Sequence, residues 1–341
     1  MELRDPWRLP AAAAFADALE GSLAEGLVIV ARDAAMPPGL AQALSERFER
    51  QHYSCYRLTA HGSSPLPQIT NTLSCPQDFS HLFTNRLTGT ILIVDFSELA
   101  LPEHTGWHIF LQRFHARSKD DPSGLTLIGL DAHGISASLP VLHWEGRLQR
   151  IDAAIWADLH CPPSRQGLLA DLATALAVDL CGWRLDLAAE LVQAHHDGIL
   201  DPLGWLRNRS ILPIPGQRDF AGRKTECPLA LLAACAHGEL EARIWRAQLT
   251  TLFPWIEEQR QNLIKRYRHK LRLDEHLRGL GVDDVEEIEL GALQHQLRVF
   301  LSGSEKEQLS RLARMRNALA HRRPAGAEDI RLSLAASEIS R

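Results

Sequence analysis

The chain has 341 residues, more than one typical domain, so two or three domains are expected. Hydrophobic residues make up 45% and charged residues 23%, an ordinary globular composition that can bury a sizeable core. The net charge of -5 excludes a general attraction to nucleic acids or acidic membranes, so any contact with nucleic acid has to be local.

The six cysteines are scattered along the chain and form no C-x-x-C pair. This spacing argues for a reducing compartment and against a disulfide framework or a thiolate zinc site. The N-terminus lacks a basic region followed by an apolar core, and no apolar run reaches the about 18 residues that a membrane span needs. We therefore expect a cytoplasmic protein with no membrane partner, no metal and no cofactor.

Strands and helices alternate in residues 1–160. Strand-like runs are predicted at 27–30, 55–58, 90–95, 125–130 and 150–153, and helices at 11–24, 40–50, 77–87 and 103–117. The runs at 90–95 and 125–130 are continuously apolar, as in buried parallel strands. The alternation predicts an α/β fold with a doubly wound parallel sheet.

The strand from Ile91 to Asp95 resembles the Walker B strand of P-loop NTPases of the AAA or STAND type, in which the final acid holds Mg²⁺. A Walker A loop should follow the first strand, but 31–40 contain no G-x-x-x-x-G-K-[ST]. Pro37 and Pro38 also remove backbone amides that a phosphate cradle needs. We predict a degenerate NTPase-like domain over 1–160, a pseudo-ATPase. The alternative is that Asp95 is only a polar strand end.

From about Pro162 the pattern is helical to the C-terminus. Amphipathic helices over 168–180 and 185–195 take the place of the small helical lid of AAA proteins, and 201–222 is rich in Pro, Gly and Arg, as in a linker. The expected domains are therefore a lid-like segment with linker over 161–222 and a helical bundle over 223–341. Within the bundle, helices are predicted at 228–237, 240–273 and 282–301, followed by a last helix that starts at a Ser304/Glu307 capping box.

Two charged segments of the bundle are candidates for binding. A basic cluster around Tyr267 could grip an RNA backbone, although a solvated helix face explains it equally well; its members are Lys265, Arg266, Arg268 and Lys270. The acidic run 283–289 suits the N-terminal part of a helix, and it could also supply a carboxylate to Arg316.

Arg316 is the unusual residue of the last helix. Leu312 and Leu319 stand four before and three after it, so the guanidinium is expected to project from an apolar stripe and to meet a carboxylate, a carbonyl or a bound anion. Asn317 and His321 are four apart and share the flank of that stripe. A phosphate fork, an amide and an imidazole within about one and a half turns suit work on a phosphodiester.

The string Arg316-Asn317-x-x-x-His321 resembles the R-N-x-x-x-H signature of HEPN domains, all-helical modules named for higher eukaryotes and prokaryotes nucleotide-binding. Many of them are metal-independent RNases in toxin–antitoxin, CRISPR and phage-defence systems. The resemblance implies an endoribonuclease in which His321 transfers a proton and Arg316 clamps the phosphate. Asn317 orients the phosphate or the imidazole. The resemblance also implies a homodimer through the C-terminal helices, with Arg322 and Arg323 as further RNA contacts.

The alternative comes from a different class of protein. Other HEPN proteins keep the fold only as a binding module, so both halves could be scaffolds in a multi-protein defence or mobile-element complex, with a protein partner or an antitoxin. The missing Walker A loop favours this interpretation, since a chain that lost one chemistry can lose another.

Overall fold

The computed structural model describes residues 5–121, 123–132 and 138–339. The chain splits into two compact units. The first consists of Met1–Asp152 and Arg218–Arg223, and the second of Ala153–Gln217 and Lys224–Arg341. In the described part of the chain, no helix is both long and apolar enough to cross a bilayer.

A five-stranded parallel sheet is the centre of the first unit. Its strands are β1 (Leu27–Ala31), β2 (Ser54–Thr59), β3 (Thr90–Asp95), β4 (Thr126–Ala132) and β5 (Val141–Leu142). They lie in the order β2-β3-β4-β1-β5. The helices are α1 (Pro10–Gly21), α2 (Leu40–Arg50), α3 (Pro65–Thr72) and α4 (His104–Asp120). The predicted α/β class with a parallel sheet is confirmed.

Aromatic side chains fill the space between the sheet and α4. Trp107 and Phe114 are fully enclosed, and Phe96 meets Trp107 edge to face with 5.2 Å between ring centroids. Such edge-to-face pairs stabilise a core beyond the area they bury. Gly129 of β4 leaves room for this packing, because a Cβ there would lie 2.9 Å from the Phe96 ring and 2.7 Å from Ile29.

Three predictions for the first unit are wrong in detail. The helix expected over 77–87 consists of two short 3-10 turns, Phe79–Phe83 and Asn85–Leu87. The strand expected over 150–153 is the first turn of α5 (Arg150–His160), because the Asp152 carboxylate accepts the Gln149 amide at 2.8 Å, as in a capping box. The loop expected before 77 contains α3.

The second unit is helical. Its elements continue with α6 (Leu168–Leu176), α7 (Leu185–Gln193), α8 (His196–Leu200), α9 (Pro202–Arg207), α10 (Pro228–Ala233), α11 (His237–Tyr267), α12 (Glu275–Gly279), α13 (Leu290–Gln296), α14 (Gly303–Ala320) and α15 (Ala327–Ile339). A π-helical turn, Ala177–Cys181, follows α6. A hairpin of β6 (Gln217–Phe220) and β7 (Arg223–Glu226) gives its tip, Arg218–Arg223, to the first unit.

The helix predicted over 282–301 is wrong. A 3-10 turn, Val285–Glu287, is closed by a capping box on Asp284, after which Ile288 and Glu289 are extended and α13 begins. The chain then makes a turn over 297–301 before α14. The predicted linker 201–222 likewise holds α9 and β6.

Two arginines are buried in the core of the second unit. Arg184 is 3% exposed and donates to both Asp186 oxygens, at 2.8 and 2.6 Å, and to the Cys227 Sγ at 3.0 Å. Arg243 is 4% exposed and its Nε donates to Glu239 at 3.0 Å. Each buried charge thus has a carboxylate partner, which a guanidinium requires inside a protein.

The stability of the second unit at acid pH depends on the ionisation of the Asp186 carboxylate. Burial raises the pKa of Asp186, but the hydrogen bonds and the charge of Arg184 outweigh it, so that pKa lies below its ordinary value of 3.8. A lowered pKa stabilises the fold above pH 3.8, and this contribution is lost as the pH falls through the folded-state pKa. We expect the unfolding free energy to fall less steeply between about pH 5 and about pH 2.5 in Asp186→Asn than in the parent chain, by chemical denaturation. The same dependence of the unfolding free energy on pH in the two proteins would contradict the lowered pKa of Asp186.

Candidate functional site at the end of α14

The helix that carries the motif begins at a capping box. Ser302 Oγ accepts the Glu305 amide at 3.3 Å, and Glu305 accepts the Ser302 amide at 3.0 Å. The box predicted at Ser304 and Glu307 is therefore two residues too late. The Ser302 amide and the Ser302 hydroxyl, which donates to Glu305 Oε2 at 2.9 Å, place the pKa of Glu305 below its ordinary value. A well-made N-terminus fixes where α14 starts and hence which side of it faces the core.

The buried stripe of α14 consists of Leu309, Leu312, Met315 and Leu319. Met315 is 1% exposed, whereas the Arg316 side chain is 29% exposed and lies at the edge of the stripe. The prediction that Arg316 projects from the middle of the stripe is wrong by one residue, a rotation of about 100° around the helix.

Arg316 has a carboxylate partner, as predicted. Its Nη2 lies 2.7 Å from Glu289 Oε1 and 2.6 Å from Oε2. Glu289 belongs to the acidic run and precedes α13, so this run supplies the carboxylate. The Glu289 side chain is 62% exposed, which keeps the ion pair at the surface and within reach of solvent.

Asn317 and His321 are exposed, and they lie on another side of the helix. Helical geometry places the two about 40° apart, but about 100° and 140° from Arg316. Throughout the described ranges, no hydrogen bond joins the side chains of these three residues. One chain therefore presents the guanidinium on one side of α14 and the amide and imidazole on another.

The turn that carries His321 is held on both sides by α11. Trp245 Nε1 donates to the Leu319 carbonyl at 2.7 Å, and the buried Gln248 accepts the Ala325 amide at 2.7 Å. The His321 amide closes the helix on the Asn317 carbonyl at 3.0 Å. The backbone of the imidazole is thus fixed while its ring is exposed, as a proton-transfer group requires.

The other predicted RNA contacts divide into paired and unpaired cations. Arg266 meets Glu305 at 3.2 Å and Arg268 meets Glu286 at 3.0 Å. In contrast, Lys265, Lys270, Arg322 and Arg323 are exposed and form no ion pair in the described part of the chain. The unpaired ones remain available to a phosphate backbone.

Asp95 ends β3 at the carboxyl edge of the sheet in the first unit, in register with Leu130. Its Oδ1 accepts the Ser97 amide at 2.9 Å, which turns the chain after the strand. In the loop after β1, Asp33 accepts the Ala35 amide at 2.8 Å and forms an ion pair with Arg218. The Asp33 and Arg218 side chains are 8% and 20% exposed. A largely buried ion pair thus closes the loop after β1.

Glu289 and Arg218 are the residues of these sites that the sequence indicates least specifically. The acidic run contains several carboxylates, and nothing in the spacing selects Glu289 before the break at Ile288 is known. Arg218 belongs to a segment that was predicted to be a linker. Comparison of the chain with family models gives no match, and comparison with curated proteins gives none either.

Proposed function

We propose that the chain is a metal-independent endoribonuclease of the HEPN type, which works at the C-terminal end of α14. The observation that carries the proposal is an exposed imidazole on a fixed turn, next to an exposed amide, with a guanidinium on another side of the same helix whose partner is a solvent-exposed carboxylate. Arg322 and Arg323 follow directly, are exposed, and have no ion pair among the described residues. Cations at this end complement the substrate phosphates.

The reaction uses the 2'-hydroxyl of the RNA as nucleophile. The 2'-oxygen bonds to phosphorus while its proton goes to a base, and the bond from phosphorus to the 5'-oxygen breaks. His321 gives a proton to the departing 5'-oxygen. Arg316 stabilises the negative charge that develops on the phosphate, and Asn317 orients the phosphate or the imidazole. The products carry a 2',3'-cyclic phosphate and a 5'-hydroxyl.

A second copy of α14 completes this site in the proposal. Arg316 and His321 of one chain lie about 140° apart on the helix, so they do not converge on one phosphate by themselves. Two helices that meet about a two-fold axis place residues of one copy opposite those of the other. The base that takes the 2'-proton is then the His321 imidazole of the second copy.

The ion pair with Glu289 does not prevent phosphate binding. Exposed ion pairs contribute about 0–1 kcal/mol, and a doubly bonded Arg–phosphate contact is stronger. We expect Glu289→Gln to tighten RNA binding by up to about fivefold at low salt, because the guanidinium is released. Fluorescence anisotropy with a labelled RNA measures the change. The control is Glu307→Gln on α14, which removes the same charge from an exposed carboxylate that pairs with the largely buried Arg311. Equal RNA affinities of Glu289→Gln and Glu307→Gln would contradict the competition between Glu289 and phosphate for Arg316.

The proposal is tested by incubating the purified protein with a mixed RNA pool, with and without EDTA. We expect cleavage in both, with 2',3'-cyclic phosphate ends. Loss of cleavage in EDTA would assign the reaction to a metal-dependent enzyme, and no cleavage of any RNA would favour the second candidate.

The second candidate is a non-catalytic scaffold in which the first unit is a pseudo-ATPase. The Asp33–Arg218 ion pair supports it, because it occupies the loop after β1 and places a carboxylate where phosphates would bind. The parallel sheet agrees with the doubly wound α/β fold that the resemblance to P-loop NTPases implies. We expect Mg²⁺ and ATP to leave the unfolding temperature unchanged, since only a ligand that binds the native state raises it.

A further inference from the structure

The turn between α13 and α14 exposes two adjacent apolar side chains. Val299 is 80% and Phe300 45% exposed. The turn itself is well anchored, because Leu297 and Leu301 on either side are buried and the amides of Phe300 and Leu301 both donate to the Leu297 carbonyl, at 2.9 and 3.1 Å. The aromatic ring is therefore held out into solvent by a fixed backbone.

One cation lies over this ring, and two arginines belong to the adjoining segments of the chain. The Lys270 ammonium lies over Phe300, 5.0 Å from the ring centroid. The Gln296 amide accepts from the Arg272 amide at 3.0 Å and donates to the Arg272 carbonyl at 2.8 Å, which ties the segment of Lys270 and Arg272 to the turn. Arg298 is the next residue but one before Phe300. We call this set the Phe300 platform; its members are Lys270, Arg272, Arg298, Val299 and Phe300.

The charge of the platform is not neutralised. In the described ranges, Lys270, Arg272 and Arg298 form no ion pair, whereas the neighbouring Arg266 and Arg268 are bound to Glu305 and Glu286. The nearest acid along the chain, Asp274, caps α12 by accepting the Leu277 amide at 2.9 Å. An exposed aromatic among free cations has the chemistry of a surface on which a base stacks while its phosphates are held.

The platform and the motif lie at opposite ends of α14. The helix has 18 residues, so its ends are about 27 Å apart. At about 3.4 Å per nucleotide of a stacked strand, that distance corresponds to about eight nucleotides.

We infer that the Phe300 platform binds single-stranded RNA about eight nucleotides from the phosphodiester cut at Arg316, Asn317 and His321, by stacking a base on Phe300 and holding phosphates with Lys270, Arg272 and Arg298. The inference rests on the proposed function for the position of the cut, but not for the binding itself. It replaces Arg266 and Arg268 as RNA contacts by Arg272 and Arg298. It also makes the enzyme sensitive to substrate length.

The test measures binding of a 16-nucleotide RNA that carries 2'-methoxy groups and cannot be cut, beside a 4-nucleotide RNA of the same kind. We expect Phe300→Ala to weaken binding of the long strand by about 5- to 150-fold, the range for the loss of one stacked base, and to leave the short strand unaffected. Phe300→Trp should restore binding. The matched control is Leu212→Ala, which truncates another exposed apolar side chain, 81% exposed.

The role of the cations is tested by the salt dependence of RNA binding. Arg272→Ala and Arg298→Ala should each lower the slope of log affinity against log salt by about 0.7, as one lost phosphate contact on a single strand does. This measurement also stands in for Phe300→Ala if that variant does not fold.

The outcomes separate the platform from the nuclease. Length-dependent binding that Phe300→Ala removes, in a protein that cuts no RNA, supports the platform and overturns the nuclease. Unchanged binding of the long strand by Phe300→Ala and by both arginine variants overturns the platform, whether or not the protein cuts RNA. If Phe300→Ala changes the oligomeric state, measured by light scattering, and leaves RNA binding unchanged, the surface is a contact with a second copy of the chain. That result overturns the inference as well.

Discussion

RNA cleavage by the His321→Ala variant is expected to be slower by about 10²- to 10⁴-fold, the usual contribution of a general acid or base. Arg316→Ala is expected to lose about 10²- to 10³-fold, because a charge-stabilising donor is removed from the transition state. Single-turnover cleavage of a labelled RNA measures both. The double variant should cleave RNA only a little more slowly than the slower single variant, since the effects of groups that act on one transition state are not additive.

These losses can be told apart from unfolding. His321 is exposed, and surface substitutions of this kind change the stability by about 0.5 kcal/mol or less. His295→Ala is the matched control, an exposed histidine of the same unit on α13. Cleavage by His321→Ala as fast as by this control would remove the imidazole from the mechanism and with it the nuclease.

Removal of the Arg184 side chain is expected to lower the unfolding free energy of the second unit by about 3–5 kcal/mol, as the loss of one partner of a buried ion pair does. Arg184→Ala leaves the Asp186 carboxylate and the Cys227 thiol without their donor and opens a space at a position that is 3% exposed. Chemical denaturation followed by tryptophan fluorescence measures the loss, and transitions of the two units are fitted separately.

The partner variant provides the comparison. Asp186→Asn leaves the buried Arg184 guanidinium without its carboxylate, so it should destabilise by a similar amount, although the Asp186 side chain itself is 53% exposed. The variant Arg184→Leu with Asp186→Leu should recover part of the loss, because a hydrophobic pair can replace a buried ion pair. A loss of less than about 1 kcal/mol in Arg184→Ala would assign this pair to the surface class.

The parts of the fold that the sequence predicted well are those with one dominant signal. The strand predicted at 90–95 is β3, because a continuous apolar run ending in Asp95 has no competing interpretation as a short helix in this context. β5 has two residues, too few for any periodicity, and it was missed. β6 and β7 consist largely of charged and polar residues, since Arg218 and its neighbours bind through charge rather than through an apolar face.

In the candidate site, too, the sequence predicts poorly where no single signal dominates, here at the level of individual side chains. The spacing of leucines located α14 and predicted a carboxylate, a carbonyl or a bound anion for Arg316. It assigned the core position to Arg316 instead of Met315, since apolar spacing does not separate adjacent residues at the edge of a stripe. Phe300 lies in the helix predicted over 282–301. Only the break of the helix before α13 and the turn after it place its ring in solvent, and both depend on tertiary contacts.

The discontinuity of the first unit has a consequence for synthesis of the chain on the ribosome. The sheet and its helices are translated by Asp152, but the Arg218 that neutralises the buried Asp33 belongs to a hairpin tip that ends at Arg223. At about 5–20 residues per second, the nascent unit carries an uncompensated carboxylate for about 4–14 s. A fragment that stops at residue 160 lacks Arg218 and keeps the Asp33 carboxylate without this guanidinium permanently.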